Sequence, residues 1–148
     1  VVGARCKIQN AAQVFEGARL GDGVFIGPGA ILTNDRHPRA VTPDGRVKGV
    51  GDWNCEGVTV DDGASVGAAS VVLAGVRLGA WSLVAAAAVV TRSVDAYELV
   101  AGIPAERVGW VCRCAARIEP PGACLACGRR YHLDDGHVVE APEGAMGL

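Results

Sequence analysis

Aliphatic residues recur at every sixth position in two long runs: Val2, Ile8, Val14, Leu20, Ile26 and Leu32, then Val60, Val66, Val72, Leu78, Val84 and Val90. An amphipathic helix repeats near 3.6 residues and a half-buried strand at 2, so a period of six with turns between predicts the stacked coils of a parallel β-helix. The position four residues after each aliphatic forms a second register of small or modest side chains, Cys6, Ala12, Ala18, Val24 and Ala30, then Ala64, Ser70, Val76, Ser82 and Ala88. Small groups suit the corners of a prism. An all-β sandwich alternates with period 2 and does not hold a six-residue register through six consecutive units. Three hexads make one triangular coil, so the two runs predict about four coils, stacked at roughly 4.8 Å into a prism about 19 Å tall. Gly3, Gly21, Gly27, Gly67 and Gly79 follow the aliphatics and are expected to serve turn conformations that a Cβ would resist.

The period defines the organisation. Residues 1–32 hold the first run of coils. Residues 33–57, TNDRHPRAVTPDGRVKGVGDWNCEG, interrupt it with a polar stretch punctuated by Pro and Gly, predicted to project from one face as a functional loop. The coils resume from Val58 to about Thr91, and the chain leaves them through VDAYELVAGIPAERVGWV. Residues 1–111 are thus read as one β-helix domain, and residues 112–148, with no hexad period, as a small Cys-rich unit. Val1 stands directly in the repeat register, which predicts one or two coils ahead of it.

Composition narrows the function classes. Half of the 148 residues are hydrophobic and a fifth charged, which fits a folded domain with a small appendage. The net charge of −2 provides no general basic field for nucleic acid. No apolar run reaches the ~20 residues of a membrane span, and no secretory leader is visible. Six cysteines without such a leader point to a reducing, cytoplasmic location in which clustered thiols hold metal.

Two segments carry chemistry. His37 is the one histidine of the repeat region, in Thr33-Asn34-Asp35-Arg36-His37-Pro38-Arg39, and an imidazole on a loop held by a rigid prism is suited to proton transfer. Asn34 offers an amide three residues away. In the tail, Cys112-x-Cys114 and Cys124-x-x-Cys127-Gly128 are two thiolate pairs with nine residues between them, a spacing able to wrap tetrahedral Zn²⁺ as a closed structural site. Cys-Leu-Ala-Cys-Gly-Arg-Arg-Tyr looks like a zinc-ribbon knuckle. Reduced free thiols or a disulfide are the alternatives, and His132 or His137 could replace one ligand. Cys6 is expected to pack in the first coil. Cys55 has no evident partner.

The hexads, the run KIQNAAQVFEGARLGDGVFIGPGAILTNDRHPRA and the exit AYELVAGIPAERVGWVCRC resemble the left-handed β-helix, hexapeptide-repeat acyltransferases that N-acetylate nucleotide-linked 3-amino sugars. Lys7-Ile8-Gln9-Asn10, Thr33-Asn34-Asp35 with Pro38-Arg39-Ala40, and Gly102-Ile103-Pro104-Ala105 carry the resemblance over residues 1 to about 114. His37-Pro38 is similar to the pair in maltose- and galactoside-type acetyltransferases, whose histidine is the general base. In several amino-sugar acetyltransferases that position is Asn or Tyr, and the amine attacks without a protein base. The family has Asn where Ile103 stands.

The resemblance implies an acetyl-CoA-dependent enzyme with His37 and Asn34 as catalytic residues and Gln9, Asn10, Glu16 and Arg39 toward the sugar nucleotide. It implies coenzyme A contacts at Thr91, Arg92 and Arg107. The oxyanion donor is most simply a backbone N–H on an inner coil turn where a small residue lets the thioester approach, and Ala68 and Ala86 are the candidates. The resemblance further implies a homotrimer with active sites between subunits. O-acetylation with His37 as base is the nearest alternative, and a truncated, non-catalytic β-helix scaffold is another. A γ-type carbonic anhydrase would need zinc-binding histidines on the coils, where only His37 is available.

Overall fold

The computed structural model describes residues 1–142; the last six residues of the predicted Cys-rich unit, 143–148, lie outside the described residues. Two-residue strands recur every six positions: β1 (Lys7–Ile8), β2 (Gln13–Val14), β3 (Arg19–Leu20), β4 (Phe25–Ile26), β5 (Ile31–Leu32), then β6 (Thr59–Val60), β7 (Ser65–Val66), β8 (Val71–Val72), β9 (Arg77–Leu78), β10 (Leu83–Val84) and β11 (Val89–Val90). Strands eighteen residues apart pair in parallel, Lys7 with Phe25 and Ser65 with Leu83, as three hexads per coil require. Across the interruption the offset rises to forty, Phe25 pairing with Ser65, so the loop inserts without shifting the register.

The pairing builds the three faces of a prism. β1, β4, β7 and β10 form one, β2, β5, β8 and β11 the second, and β3, β6 and β9 the third. The aliphatic at the second position of each strand points inward. Ile26, Leu32, Val66, Val72, Leu78 and Val84 are fully buried, and the small register Val24, Ala30, Ala64 and Ser70 is buried beside them. At the first coil the same positions are less covered: Ile8 and Val2 are about half exposed, and Cys6 is partly buried, its Sγ 3.1 Å from the Gly21 carbonyl.

The structure corrects the role expected for the glycines after the aliphatics. Left-handed backbone falls at a different register position, Arg5, Ala11, Gly17, Gly23, Gly29, Gly63, Ala69, Gly75, Trp81 and Ala87, again every six residues at the corners. Gly27 and Gly67 instead lie where consecutive coils touch. A Cβ on Gly27 would sit 2.7 Å from the Ala68 nitrogen, and one on Gly67 would sit 2.5 Å from the Ala86 nitrogen. Close approach of stacked backbone, rather than a turn dihedral, demands glycine there.

Beyond β11 the chain adds β12 (Glu98–Gly102), parallel to β10, and turns back as antiparallel β13 (Ala105–Val111). β14 (Arg117–Ile118) pairs with β13, and β15 (Gly122–Ala123), β16 (Arg130–Asp134) and β17 (His137–Glu140) form a small antiparallel sheet. A second apolar cluster, Tyr97, Cys112, Ile118, Cys124, Tyr131 and Val138, packs against Trp81 and Trp110, so the tail shares its core with the end of the prism. No helix among the described residues is long and apolar enough to cross a membrane.

The two glycine registers are separable by mutation. Gly67→Ala drives a methyl group into rigid backbone and is expected to cost about 3 kcal/mol, the upper end of over-packing penalties. Gly29→Ala meets nothing within 4 Å and joins a corner column that Ala11, Ala69 and Ala87 already occupy, so it should cost about 1 kcal/mol or less. Urea midpoints of the two variants check this; equal losses would return the constraint to backbone dihedrals.

Candidate functional site

The loop of residues 33–57 leaves the prism at the corner between the second and third faces, and its two stems are pinned to the coils on either side. Thr33 continues the ladder, its N–H donating to the Val72 carbonyl at 3.0 Å. The Asn34 side-chain amide donates to the Glu16 carbonyl at 3.1 Å, and the Cys55 thiol reaches the same oxygen at 3.3 Å. Across the stems, the Glu56 N–H donates to the Asn34 carbonyl at 2.9 Å, and Arg36 lies 3.6 Å from the Glu56 carboxylate. The Asn34 amide group is therefore committed to holding the loop. Cys55, unassigned from sequence, shares that anchor.

His37 is exposed on this base. Its backbone N–H donates to Asp35 Oδ1 at 2.8 Å, an Asx turn that aims the histidine outward from the corner. The far part of the loop is braced separately. Val41 bridges Val47, a 3₁₀ turn spans Val50–Asp52, and Arg46 grips Asp52 with two bonds of 2.9 and 2.7 Å. That grip, with the Gly49 N–H, holds the Asp52 carboxyl below the usual carboxylate range.

Three clefts surround the base. One of about 510 Å³ is lined by Asn34, Arg39, Lys48 and Trp53 among others, placing an aromatic ring and two cations around an open space. A second, about 170 Å³, holds His37 with Lys48, Asp52, Trp53 and Glu56. A third, about 230 Å³, joins Thr33, Arg36 and Pro38 to Leu73, Ala74 and Thr91 of later coils. The structure thus gathers His37, Asn34, Arg39 and Thr91 at one corner edge, with Glu16 contributing its backbone carbonyl. Trp53 and Lys48 carry no motif that would have marked them in the sequence.

Other predicted residues lie elsewhere. The Gly29 N–H donates to Asn10, the Ala69 N–H to Pro28 and the Ala87 N–H to Ala68, so Asn10, Ala68 and Ala86 follow a different corner edge, with Gln9 beside Asn10. Within one chain this edge and the loop edge are separate. Arg92 is paired with Glu106 at 2.6 Å on the surface. Arg107 lies 3.2 Å from the buried Glu98 carboxylate and 4.8 Å over the Trp110 ring.

The four tail cysteines converge. The sulfurs of Cys112, Cys114, Cys124 and Cys127 all lie within 4.8 Å of one another, with Cys112 and Cys127 at 3.3 Å and Cys114 and Cys124 at 3.6 Å. A tetrahedron with metal–sulfur bonds of about 2.3 Å has edges of about 3.8 Å, so the set fits a thiolate-bound ion. Both pairs end in a left-handed residue, Ala115 and Gly128, which turns the chain back around the cluster. The two halves differ in environment: burial pushes the Cys112 thiol up to about 12, whereas the Arg129 backbone N–H holds Cys127 down to about 6. His132 is exposed and His137 faces Asp95 at 3.1 Å, so neither joins the set.

No protein-family model matches the chain. The chain is 41% identical over 83 residues to a dTDP-3-amino-3,6-dideoxy-alpha-D-galactopyranose 3-N-acetyltransferase of Aneurinibacillus thermoaerophilus, a match covering 55% of this chain and 43% of that protein. It superposes on a hexapeptide-repeat-containing acetyltransferase of Vibrio cholerae, solved with acetyl coenzyme A, with a TM-score of 0.59 and 27% identity over 74% of this chain and 58% of that one. The chain has the hexapeptide-repeat acetyltransferase fold. A mutant perosamine N-acetyltransferase of Caulobacter crescentus, solved with CoA and GDP-perosamine, is similar at a TM-score of 0.57 and 28% identity, covering 73% of this chain and 41% of that one. The coils accordingly form a left-handed β-helix, as in these acetyltransferases. The chain spans less than half the length of the amino-sugar acetyltransferase it matches.

The two arginines of this hexapeptide-repeat fold make different predictions. Removing the Arg107 guanidinium leaves the Glu98 carboxylate buried with its charge uncompensated, so Arg107→Met is expected to lose about 1–3 kcal/mol of stability. Arg92→Met breaks an exposed pair and should leave the melting temperature within experimental scatter. Thermal melts of both variants decide; an unchanged Arg107→Met melt would free that side chain for a binding role.

Proposed function

We propose that the chain carries out acetyl-CoA-dependent N-acetylation of the amine on a nucleotide-linked amino sugar. The observation that carries the reading is the pinned loop, which sets His37, Arg39 and Trp53 around open clefts beside Thr91, on coils similar over 83 residues to an amino-sugar N-acetyltransferase. An acetyl thioester is already activated, so the protein's tasks are positioning, a neutral amine and stabilisation of the oxyanion. The amine lone pair attacks the thioester carbonyl, the C–N bond forms and the C–S bond breaks. His37 takes the amine proton, and the coenzyme A thiolate leaves and is protonated. Asn34 acts by holding the loop that presents His37. Arg39 and Lys48 supply positive charge for a diphosphate and Trp53 a face for a ring. Glu16 and, from the other corner edge of a neighbouring subunit, Gln9 and Asn10 complete the sugar-nucleotide contacts.

The reading includes assembly. Ala68 and Ala86, whose backbone N–H groups would meet the oxyanion, stand on another edge of the prism from His37. A homotrimer would set the alanine edge of one subunit against the loop edge of the next, with acetyl-CoA between them and Thr91 and Arg92 near its phosphates, while Arg107 stays on Glu98. The second cofactor is a zinc ion on Cys112, Cys114, Cys124 and Cys127, structural because four sulfur ligands leave no open position. A cytoplasmic location supplies both acetyl-CoA and the reducing conditions that keep these thiols available.

Product mass after incubation of the purified chain with acetyl-CoA and a panel of UDP-, dTDP- and GDP-linked amino sugars tests this. A gain of one acetyl group on the amine is expected, with His37→Ala lowering kcat/KM by about 10²- to 10⁴-fold. Transfer with undiminished rate in His37→Ala would assign the proton to the substrate itself. Acetylation of hydroxyl acceptors alone would make the chain an O-acetyltransferase, and no transfer with no coenzyme A binding would leave a structural β-helix.

A further inference from the structure

The four-cysteine cluster does more than tie the tail to itself. Cys112 directly follows Val111, the last residue of β13, and both Cys112 and Cys124 are buried within the apolar cluster that the tail shares with the prism. Tyr131 is at the centre of that cluster, 3% exposed. Its hydroxyl donates to Cys112 Sγ at 3.1 Å and accepts the Arg113 N–H at 3.2 Å. Its ring meets the Tyr97 ring edge-on, with centroids 5.2 Å apart, and Tyr97 belongs to the corner ladder through its N–H to the Ala80 carbonyl. Arg113 lies 4.7 Å over the Trp81 ring and 2.8 Å from Glu140, and His137 faces Asp95. The Cys112 sulfur is thus a single side chain away from the last corner of the coils.

Building on the reading of these cysteines as a zinc site, we infer that the metal-held tail is the end cap of the β-helix, with Tyr131 as the positioning residue that couples the ion to the last coil. A solenoid leaves its terminal coil with unsatisfied edge groups unless something covers them. Here β12 and β13 provide that cover, and the far end of β13, where the Val111 N–H donates to the Tyr97 carbonyl at 2.8 Å, runs directly into Cys112. A phenol donating to a metal-bound thiolate is an outer-shell partner of the kind whose loss typically lowers metal affinity about 10- to 100-fold.

Three measurements on the full chain test the inference. Metal analysis and titration with Co²⁺ examine the zinc reading itself: one ion per chain and an intense sulfur-to-cobalt charge-transfer band are expected. Absence of both overturns the site and the cap together. Hydrogen exchange with and without a strong chelator examines the cap: amides of Leu99, Val100 and Val111 should lose protection on metal removal, while those of Leu32 and Val66 keep it. Metal binding with unchanged exchange at Leu99, Val100 and Val111 would leave the zinc site standing and overturn the cap. Tyr131→Phe examines the coupling, with cobalt affinity expected to fall about 10-fold and the charge-transfer band to shift. Wild-type affinity and an unmoved band would remove Tyr131 from the role.

Discussion

Backbone stacked directly on backbone is the constraint from which the rest of the structure follows. Each coil finds its hydrogen-bond partners in the coils above and below, Gly27 donating to Val66 at 2.8 Å, Gly67 to Val84 at 2.8 Å and Ala85 to Val100 at 2.9 Å. Because every donor has one correct acceptor in the next coil, a coil must contain eighteen residues or compensate where it departs from that number. The aliphatic column then falls inward on all three faces, and left-handed residues fall at each corner. Side chains are excluded wherever coils approach closest, at Gly27 and Gly67.

The same constraint determines where chemistry can be added. A corner is the one place in a coil where chain can leave and return without displacing a strand, and the 33–57 loop uses it. Glu56 restores the interrupted ladder, accepting the Gly75 N–H at 3.0 Å while donating to Asn34. The insertion therefore costs the prism little, and its outer half is free to carry Arg39, Lys48 and Trp53. Because Asn34 and Cys55 both converge on the Glu16 carbonyl, the base that presents His37 is tied to rigid backbone. Rigid support of this kind is what the proposed proton transfer at His37 requires.

The coils were legible in the sequence because a six-residue period reports on contacts made every eighteen residues by the same backbone. The loop and the thiolate pairs were legible for a related reason: each breaks the period or recurs at short spacing. What failed to show was contact between positions with no fixed spacing. The glycines after the aliphatics were visible, but the dihedral explanation was wrong, because the atom that excludes a Cβ at Gly67 belongs to Ala86, nineteen residues on. Asn34 meeting Glu16, Arg107 meeting Glu98 and Tyr131 meeting Cys112 are equally invisible. Each depends on how the prism aligns segments distant in sequence, and no local pattern encodes that alignment. Whether the separate edges holding His37 and Ala68 act together is likewise a matter of a second prism.

The C-terminal end of the prism bears on the tail. β12 continues the face of β10, and the cluster around Tyr131 packs beside it. The described tail beyond Val111 has few buried residues of its own, Cys112, Ile118, Cys124, Tyr131 and Val138, and two of those are cysteines. So few apolar groups cannot hold some thirty residues against their conformational entropy, which is why small units of this kind are stapled. Four convergent cysteines would supply such a staple once a metal is bound, and the Tyr131 hydroxyl and the Tyr97 ring connect them to the corner ladder. On the proposed metal reading, the site belongs to the β-helix as much as to the tail: an ion bound there would hold closed the edge that the repeat, by its own stacking rule, leaves open.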